Sequence, residues 1–248
     1  MGTQTKTGRL EQEVPQDLRA GAETYWESVN QSTWGRYLAE VEEQAVRRAV
    51  EVAGGRGTAM EVGCDGGRWA GLLVKDGWTV ICTDTRREAL KLTTQRVPQA
   101  RCVLVRPEDT SLPSQSATID LVLCIEVDSV SSEGWFIREA ARVLKPGGVL
   151  VATVLNRHSL RALVHVVTYA KRARRGVFGW YQIGYRTWRS MLLRSRLQPI
   201  QEQGFCWAPY SRTSNSRLIP SMVRGERLLA LNRLPMISPW VAVVAQKS

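Results

Sequence analysis

The chain has 248 residues, of which 44% are hydrophobic, and it carries a formal net charge of +11. This hydrophobic fraction allows a substantial core and excludes wholesale disorder. The sequence contains no run of about eighteen apolar residues, and residues 1–13 are polar, so it predicts neither a membrane-spanning helix nor a signal peptide. We therefore expect a cytoplasmic protein.

The first segment, residues 1–53, is predicted to be a polar tail followed by a helical cap. Its helical pattern runs from Thr24 to Val52, is rich in aromatic residues and ends at a cluster of glycines. The aromatic side chains are candidates for a lid over a bound ligand, and the alternative is that they pack the cap onto the core. Four residues carry this hypothesis, with Tyr25 and Trp34 as the substrate-side candidates: Tyr25, Trp26, Trp34 and Tyr37.

Strands and helices alternate along residues 54–248, which indicates a parallel sheet covered by helices on both faces. The predicted fold is α/β, a doubly wound, mostly parallel, seven-stranded Rossmann-like sheet in one domain. Strands are predicted at 59–63, 79–83, 102–106, 119–125, 149–155, 200–207 and 240–245. Helices are predicted at 68–75, 86–96, 136–144, 158–175 and 187–197.

A glycine turn follows the first predicted strand and leads directly into a helix, in the run EVGCDGGRW that begins at Glu61. Glycine permits a positive φ and a close approach of the backbone to a ligand. In sheets of this kind ligands bind outside the carboxyl ends of the strands. The turn therefore predicts a ligand site, although other nucleotide-binding folds share this feature.

Asp84 ends the second predicted strand, 21 residues beyond Gly63. A carboxylate at this place can accept hydrogen bonds from both hydroxyls of a ribose. Asp84 also precedes a helix, so capping that helix is the alternative role, and the two roles are compatible.

Four landmarks together resemble the class I S-adenosylmethionine-dependent methyltransferases, particularly the group similar to ubiquinone and menaquinone biosynthesis methyltransferases. They are EVGCDGGRW, Asp84, the stretch RPEDTSLP before IDLVLCIEV, and REAARVLKPGGVLVAT. The resemblance covers about residues 55–156 well and extends loosely to the end of the chain. It implies that the protein is a methyltransferase and that S-adenosylmethionine is its cofactor.

The resemblance also implies roles for individual residues. The methionine part of the cofactor would lie between Glu61 and Gly63, beside the turn residues Cys64, Asp65 and Gly67. Asp84, followed by Thr85, would hold the ribose, and Glu108 or Asp109 would lie by the adenine amino group. Ile125 and Glu126 would line the cavity near the sulfonium.

The chain departs from the family pattern at two places. Asp65 occupies the slot of the middle glycine of the turn. Aspartate tolerates left-handed geometry, and its carboxylate would either contact the cofactor's ammonium group or lower cofactor affinity. The Glu-His pair that often follows the fourth strand is missing, because the chain reads Val127-Asp128-Ser129-Val130, which excludes a histidine base there.

Methyl transfer from a sulfonium is an in-line displacement, so the protein mainly aligns the reactants and excludes water. A general base helps only where the acceptor carries a proton of high pKa. His158, just beyond the fifth strand, and Glu126 are the two candidates, and the alternative for His158 is an ordinary surface histidine. We expect no metal site. The rival cofactor NAD requires the G-x-G-x-x-G spacing, which Cys64 and Asp65 break.

The positive charge is concentrated in one stretch. Residues 140–201 contain twelve Lys and Arg residues and no acidic residue, so the rest of the chain has a net charge of −1. Within it, the segment 157–196 lies where the family has its substrate-recognition segment and interleaves arginine with aromatic residues, including the substrate-side candidates Trp180 and Tyr185. The segment is predicted to contact an anionic membrane surface or to bind RNA. The alternative is a solvated helix face whose apolar side packs on the domain.

We expect methyl transfer to a small-molecule or lipid-linked acceptor by an enzyme that can bind peripherally to a membrane. Nucleic acid is the less favoured partner. An RNA-directed methyltransferase, or a non-catalytic module that binds S-adenosylmethionine or RNA, is the alternative function.

Overall fold

A computed structural model of the chain describes residues 24–164 and 181–248, which form one seven-stranded sheet with helices packed against it. The strands are β1 (Thr58–Val62), β2 (Thr79–Asp84), β3 (Arg101–Leu104), β4 (Ile119–Cys124), β5 (Leu144–Leu155), β6 (Leu197–Phe205) and β7 (Trp240–Lys247). The helices are α1 (Tyr25–Gln31), α2 (Thr33–Val52), α3 (Arg68–Lys75), α4 (Arg87–Arg96), α5 (Asp128–Ser131), α6 (Gly134–Val143), α7 (Tyr185–Arg194) and α8 (Ile219–Leu228), and a short 3-10 helix spans Leu231–Arg233.

The strand order is β3-β2-β1-β4-β5-β7-β6. Strands β1 to β5 pair in parallel, and β7 runs antiparallel between β5 and β6. This confirms the predicted doubly wound, mostly parallel sheet. The carboxyl ends of β1, β2 and β4 meet at one edge of the sheet, which brings the turns that follow them together.

The aromatic N-terminal pattern forms two helices because Ser32 interrupts it. The backbone of Ser32 is extended, and its hydroxyl accepts a hydrogen bond from the Gly35 N–H at 2.9 Å, so Ser32 is the N-cap of α2. The apolar face of α2 packs into the same core as the sheet, where Leu38 and Ala45 join Leu121 and Val151. The cap and the sheet therefore share one hydrophobic core.

Strand β5 begins at Leu144, five residues earlier than predicted, because Leu144 already pairs with Ile119 of β4. An irregularity in the register accommodates the turn that starts at Lys145. The Lys145 Nζ donates to both carboxylate oxygens of Asp120 at 2.8 Å. Lys145 thus fastens the turn to β4, as expected of a structural turn.

Helical backbone runs from residue 160 to residue 164, the start of the helix predicted at 158–175. The rest of that prediction, including the cluster Lys171, Arg172, Arg174 and Arg175, lies outside the described residues. Helices α5 and α8 were not predicted. Helix α8 is held by Ile219 and Glu226, both buried, on the outer side of α2.

Candidate active site

The turn after β1 has the backbone geometry that its glycines permit. Gly63 and Gly67 have φ values of 72° and 75°. A Cβ at Gly63 would lie 2.5 Å from Val127 Cγ2, and one at Gly67 would lie 2.9 Å from Thr93 Cγ2. Both positions therefore require glycine, for conformation and for space. Asp65 adopts the left-handed region as well, with φ of 45°.

Glu61, at the end of β1, stabilises the start of α3. Its Oε2 accepts the Ala70 N–H at 2.9 Å. Gly67, the N-cap of α3, has no side chain for this purpose, so the Glu61 carboxyl takes the place of a capping side chain. Glu61 is buried, and burial raises the pKa of its carboxyl well above the usual range.

Asp84 ends β2 with a buried carboxylate that faces the turn after β1. Its Oδ2 accepts the Asp65 N–H at 3.1 Å, and its Oδ1 accepts the Arg86 N–H at 2.9 Å. Each carboxylate oxygen has a further lone pair. The carboxylate can therefore brace both turns and still accept hydrogen bonds from two hydroxyls.

A cavity of about 600 Å³, including the space open to solvent, lies between this turn, α1, α2 and the end of β4. Trp26 of α1 and Glu42 of α2 form part of its wall. It is also lined by six residues that the sequence predicted at the site: Glu61, Gly63, Cys64, Asp65, Ile125 and Glu126.

The other residues predicted to bind the cofactor follow the carboxyl ends of β2 and β3. Thr85 follows Asp84 and is exposed. Strand β3 lies beside β2, with Leu104 opposite Asp84, and the loop after β3 carries Glu108 and Asp109. Both acids are exposed, and Asp109 Oδ2 accepts the Arg106 N–H at 2.8 Å.

Glu126 follows β4 in a backbone conformation that is rare for a residue with a side chain, with φ of 58°. Its N–H donates to Thr153 Oγ1 at 2.6 Å, and its carboxylate forms a largely buried ion pair with Arg212. Strain of this kind persists only where the surroundings enforce it, and it concentrates at functional sites. The fold therefore fixes the Glu126 carboxylate at the cavity wall.

Arg212 comes from the loop after β6 and is enclosed by two tryptophans. Its guanidinium carbon lies 4.4 Å from the ring centroid of Trp26 and 4.7 Å from that of Trp240. Both distances fit cation–π contacts. Arg212 thus links Trp26 of α1 to the carboxylate of Glu126, which follows β4.

Glu42 of α2 adds a second buried carboxyl to this wall. Burial and the adjoining carboxyl of Glu126 raise the pKa of Glu42 well above its usual range. Glu42 Oε1 is buried and has no hydrogen-bond partner in the described part of the chain, which also favours the protonated form. Arg68 Nη1 lies 3.5 Å from the other oxygen of Glu42, Oε2.

Asp128, two residues beyond Glu126, stands where the family pattern has its Glu-His pair. It is buried, and burial raises the pKa of its carboxyl to about 6. The nearby backbone of Leu155 and Tyr181 and the charge of Arg212 oppose this rise. The carboxyl end of β4 thus carries two acids in different electrostatic surroundings.

His158 lies apart from the cavity lining. Its side chain is exposed, and its ring packs against Gly184, where an added Cβ would lie 2.4 Å from His158 Cε1. Its backbone N–H donates to Asn156 Oδ1 at 3.0 Å.

Two of the four predicted substrate-side aromatic residues, Trp34 and Tyr185, lie in the core rather than in the cavity lining. Trp34 is fully buried, with its ring centroid 4.7 Å from that of Tyr37. Tyr185 is fully buried in a different cluster, where its hydroxyl donates to Glu202 Oε1 at 2.5 Å. Trp180 and the Tyr25 side chain lie outside the described residues.

The sequence interpretation missed Glu42 and Arg212. Glu42 had a signal, because it falls on the apolar face of α2 between Leu38 and Ala45, where an acidic residue is out of place. Arg212 had none, since only the path of the loop after β6 brings it to the end of β4.

The donor set fits S-adenosylmethionine. A carboxylate at the end of β2 suits a ribose, and a cavity beside a glycine turn suits the methionine part. Within residues 24–164 and 181–248, no cluster of three or more His, Cys, Asp or Glu side chains could hold a metal ion.

Comparisons with known proteins agree with this geometry. Residues 60–152 match the family model described as a methyltransferase domain. The chain is 30% identical over 182 residues to the ubiquinone biosynthesis O-methyltransferase of Caulobacter vibrioides, an alignment that covers 67% of this chain and 70% of the relative.

Two solved structures share the fold. Geranyl diphosphate C-methyltransferase from Streptomyces coelicolor has a TM-score of 0.59 at 14% identity, covering 85% of this chain and 80% of that one. A TehB-like S-adenosylmethionine-dependent methyltransferase from Corynebacterium glutamicum has a TM-score of 0.51 at 18% identity, covering 89% and 98%. The glycine turn, the acid that ends β2 and the similarity to the Caulobacter relative show that the chain belongs to the S-adenosylmethionine-dependent methyltransferases.

Proposed function

We propose that this enzyme methylates a hydroxyl group of a small, lipid-linked acceptor, with Glu126 as the group that receives the hydroxyl proton. The observation that carries the proposal is the strained, buried Glu126 at the cavity wall, held by Thr153 and Arg212. A hydroxyl has a high pKa, so a carboxylate in contact with it lowers the barrier to its attack.

The cofactor would lie along the carboxyl edge of β1, β2 and β4. It supplies a methyl group that the sulfonium already activates. Asp84 would accept the ribose hydroxyls, and the loop with Glu108 and Asp109 would lie on the adenine side. Gly63 leaves space for the methionine part, and Ile125 would lie near the sulfonium.

The acceptor would enter between Trp26 and Glu126. Trp26 offers an apolar surface and lies on α1, which covers the cavity. Arg212 orients Glu126, and a protonated Glu42 would donate a hydrogen bond to the same carboxylate, so the direction of its free lone pairs would be set. Excluding water from this pocket strengthens each of these interactions.

The name of the Caulobacter relative supports a hydroxyl acceptor in quinone synthesis. The fold alone leaves the accepting atom open, since the Streptomyces neighbour is named a C-methyltransferase. The basic segment 157–196 suits an acceptor that resides in an anionic membrane, because arginines beside apolar groups favour that surface.

Methyl transfer to matched acceptors tests the proposal. Polyprenylated catechols, the corresponding anilines and a phenol without the lipid tail would be incubated with labelled cofactor, and products identified by mass spectrometry. We expect the catechol with the tail to react fastest. Exclusive transfer to nitrogen or carbon, or indifference to the tail, would contradict the proposed acceptor.

Variants at the two candidate bases then separate their roles. Glu126→Gln should lower kcat/KM about 100-fold or more, whereas the exposed Glu43→Gln should not change it. His158→Gln should have little effect. A larger loss of kcat/KM in His158→Gln than in Glu126→Gln would identify His158 as the base. S-adenosylhomocysteine affinity and melting temperature show whether each variant is folded.

A further inference from the structure

An apolar patch lies outside the cavity, on α8 and the segment that follows it. Twelve large hydrophobic side chains among the described residues are exposed, and half of them fall within residues 218–237. Within this patch the most exposed are Leu228, Leu229 and Leu218, at 80%, 71% and 66%. The others are Met222, Leu234 and Ile237. Concentration of this kind marks an interaction surface rather than scattered surface residues.

Helix α8 is buried along one side and leaves the patch exposed. Ile219 and Glu226, seven residues apart, face the body of the protein. Glu226 accepts hydrogen bonds from the Tyr37 hydroxyl at 2.5 Å and from the Ala208 N–H at 3.1 Å. Leu218, Met222 and Leu229 recur at helical spacing on a different face, so a firmly docked helix presents them outward.

The charge around the patch has one sign. Arg217, Arg224, Arg227 and Arg233 are exposed, and Glu226, the one acid in residues 217–237, is buried. Arg227 lies 4.0 Å from Glu40 of α2, and both of those side chains are mostly exposed. The outward surface is therefore apolar with a cationic margin.

This combination matches the surface of an anionic lipid bilayer. Leucines enter the boundary between headgroups and acyl chains, while arginines pair with lipid phosphates. A symmetric dimer through the same patch would bring like arginines together across the interface. Single-stranded nucleic acid calls for aromatic stacking groups, and residues 217–237 contain no aromatic residue.

The patch is connected to the active site. Five residues before Arg217, Arg212 reaches Glu126 at the cavity wall. Asn156, just beyond β5, donates from Nδ2 to the carbonyls of Met236 and Ser238 at 3.0 Å and 3.1 Å. The exposed Leu160 and Leu163 follow Asn156 along the chain.

We propose that residues 217–237 form a peripheral docking surface for an anionic phospholipid bilayer. This surface does not include the basic cluster at 171–175. It would give a lipid-linked acceptor a route from the bilayer to the cavity. Docking itself does not depend on the proposed acceptor. No helix among the described residues is long and apolar enough to cross a bilayer, so the contact would be interfacial.

Co-sedimentation of the full chain with vesicles tests the proposal. The vesicles would be phosphatidylcholine alone, or phosphatidylcholine with phosphatidylglycerol. Wild-type protein should bind the anionic vesicles, and binding should weaken as salt is raised. Leu228→Ser/Leu229→Ser and Arg224→Ser/Arg233→Ser should each reduce binding at least about tenfold.

Control variants replace exposed apolar or arginine residues with serine elsewhere on the surface. Ile200→Ser on β6 and Arg56→Ser/Arg101→Ser alter exposed residues and should leave binding unchanged. S-adenosylhomocysteine affinity, which should be unaltered in every variant, shows that each one is folded. Methyl transfer to a soluble acceptor should also persist, so failure of docking and failure of the proposed chemistry remain distinguishable.

Three results would overturn the proposal. One is that wild-type protein ignores anionic vesicles. Another is that the variants in 217–237 bind as well as the control variants, while a Lys171→Ser/Arg172→Ser/Arg174→Ser/Arg175→Ser variant loses binding. The third is that Leu228→Ser/Leu229→Ser converts a dimer into a monomer in sedimentation velocity without changing vesicle binding, which would make the surface a protein interface.

Discussion

Arg86 donates from Nη2 to Oδ1 of Asp65 at 2.6 Å and so links the turn after β2 to the turn after β1. Its Nε also lies 3.5 Å from Asp84 Oδ1. One oxygen of the carboxylate that replaces the family's middle glycine is thus engaged within the protein, while Oδ2 is buried without a hydrogen-bond partner among the described residues. This accounts for how an acidic residue is accommodated beside a site for a cofactor that carries its own carboxylate.

Asp65→Gly should bind S-adenosylhomocysteine within about threefold of wild type. Glycine adopts the positive φ of this position more readily. The lost ion pair involves the half-exposed Arg86, so solvent screening keeps its contribution small. Isothermal calorimetry measures the affinity, with Arg86→Gln removing the same pair from its other side. A loss above tenfold in Asp65→Gly alone would reveal a direct contact between Asp65 and the cofactor.

Asp84→Ala should weaken S-adenosylhomocysteine binding at least about tenfold, because ribose hydroxyls lose a charged acceptor. It should also lower the melting temperature, since the N–H groups of Asp65 and Arg86 lose theirs. A cofactor analogue without the ribose hydroxyls separates these effects. Removing the hydroxyls should cost affinity in wild type and almost none in the variant. An equal loss of affinity in wild type and in Asp84→Ala would show that Asp84 only braces the turns and does not contact the ribose.

The alternation of strands and helices was predictable because the strands of the parallel half are short, mainly apolar runs, each followed by a polar turn. The glycine turn and Asp84 could be located for the same reason, since both sit where a strand ends. The break at Ser32 was missed, although a serine before a helical run is a recognisable N-cap. Propensity on both sides of it favours helix, so only the local hydrogen bond divides the pattern.

The acceptor side of the site was less predictable, because its residues are distant in sequence. Arg212, Trp240, Trp26 and Glu126 come from four separate elements, and no spacing rule relates them. The aromatic residues of the cap illustrate the difficulty. Trp26 lines the cavity while Trp34 fills the core, and only the rotation of α1 against α2 decides which does which.

Asp128 makes the stability of the protein depend on pH. Its pKa is about 6 in the folded state and about 3.9 in an unfolded chain. The folded state therefore binds more protons between about pH 4 and pH 6, so its stability falls as pH rises through this window. Asp128→Asn cannot titrate. It should match wild type near pH 4 and exceed it above pH 6, by no more than about 3 kcal/mol.

Urea unfolding of both proteins across the pH range measures this difference, with the exposed Asp76→Asn as the control for loss of an aspartate. The control should follow the wild-type curve. Parallel curves for Asp128→Asn and wild type would mean that burial does not raise the pKa of Asp128.

Glu42→Gln should retain the stability of the wild type at neutral pH, or slightly increase it. The raised pKa of Glu42 favours a protonated carboxyl in the fold, which would then donate a hydrogen bond to Glu126. The amide of glutamine also donates a hydrogen bond and has nearly the same shape. Because the folded wild type holds its proton to a higher pH than the unfolded chain, its stability declines as pH rises above about 4.3 toward the folded pKa of Glu42. The variant should lack this decline.

The competing arrangement is a charged Glu42 paired with Arg68, whose Nη1 lies 3.5 Å away. In that case Glu42→Gln would leave a partly buried guanidinium without its counter-charge and destabilise the protein by several kcal/mol. Glu43→Gln, at the next position of α2 but exposed, should change the unfolding free energy by no more than about 0.5 kcal/mol. Glu42→Leu removes the donor altogether. If Glu42 positions Glu126, this variant should lower kcat on a hydroxyl acceptor more than Glu42→Gln does, with little change in S-adenosylhomocysteine affinity.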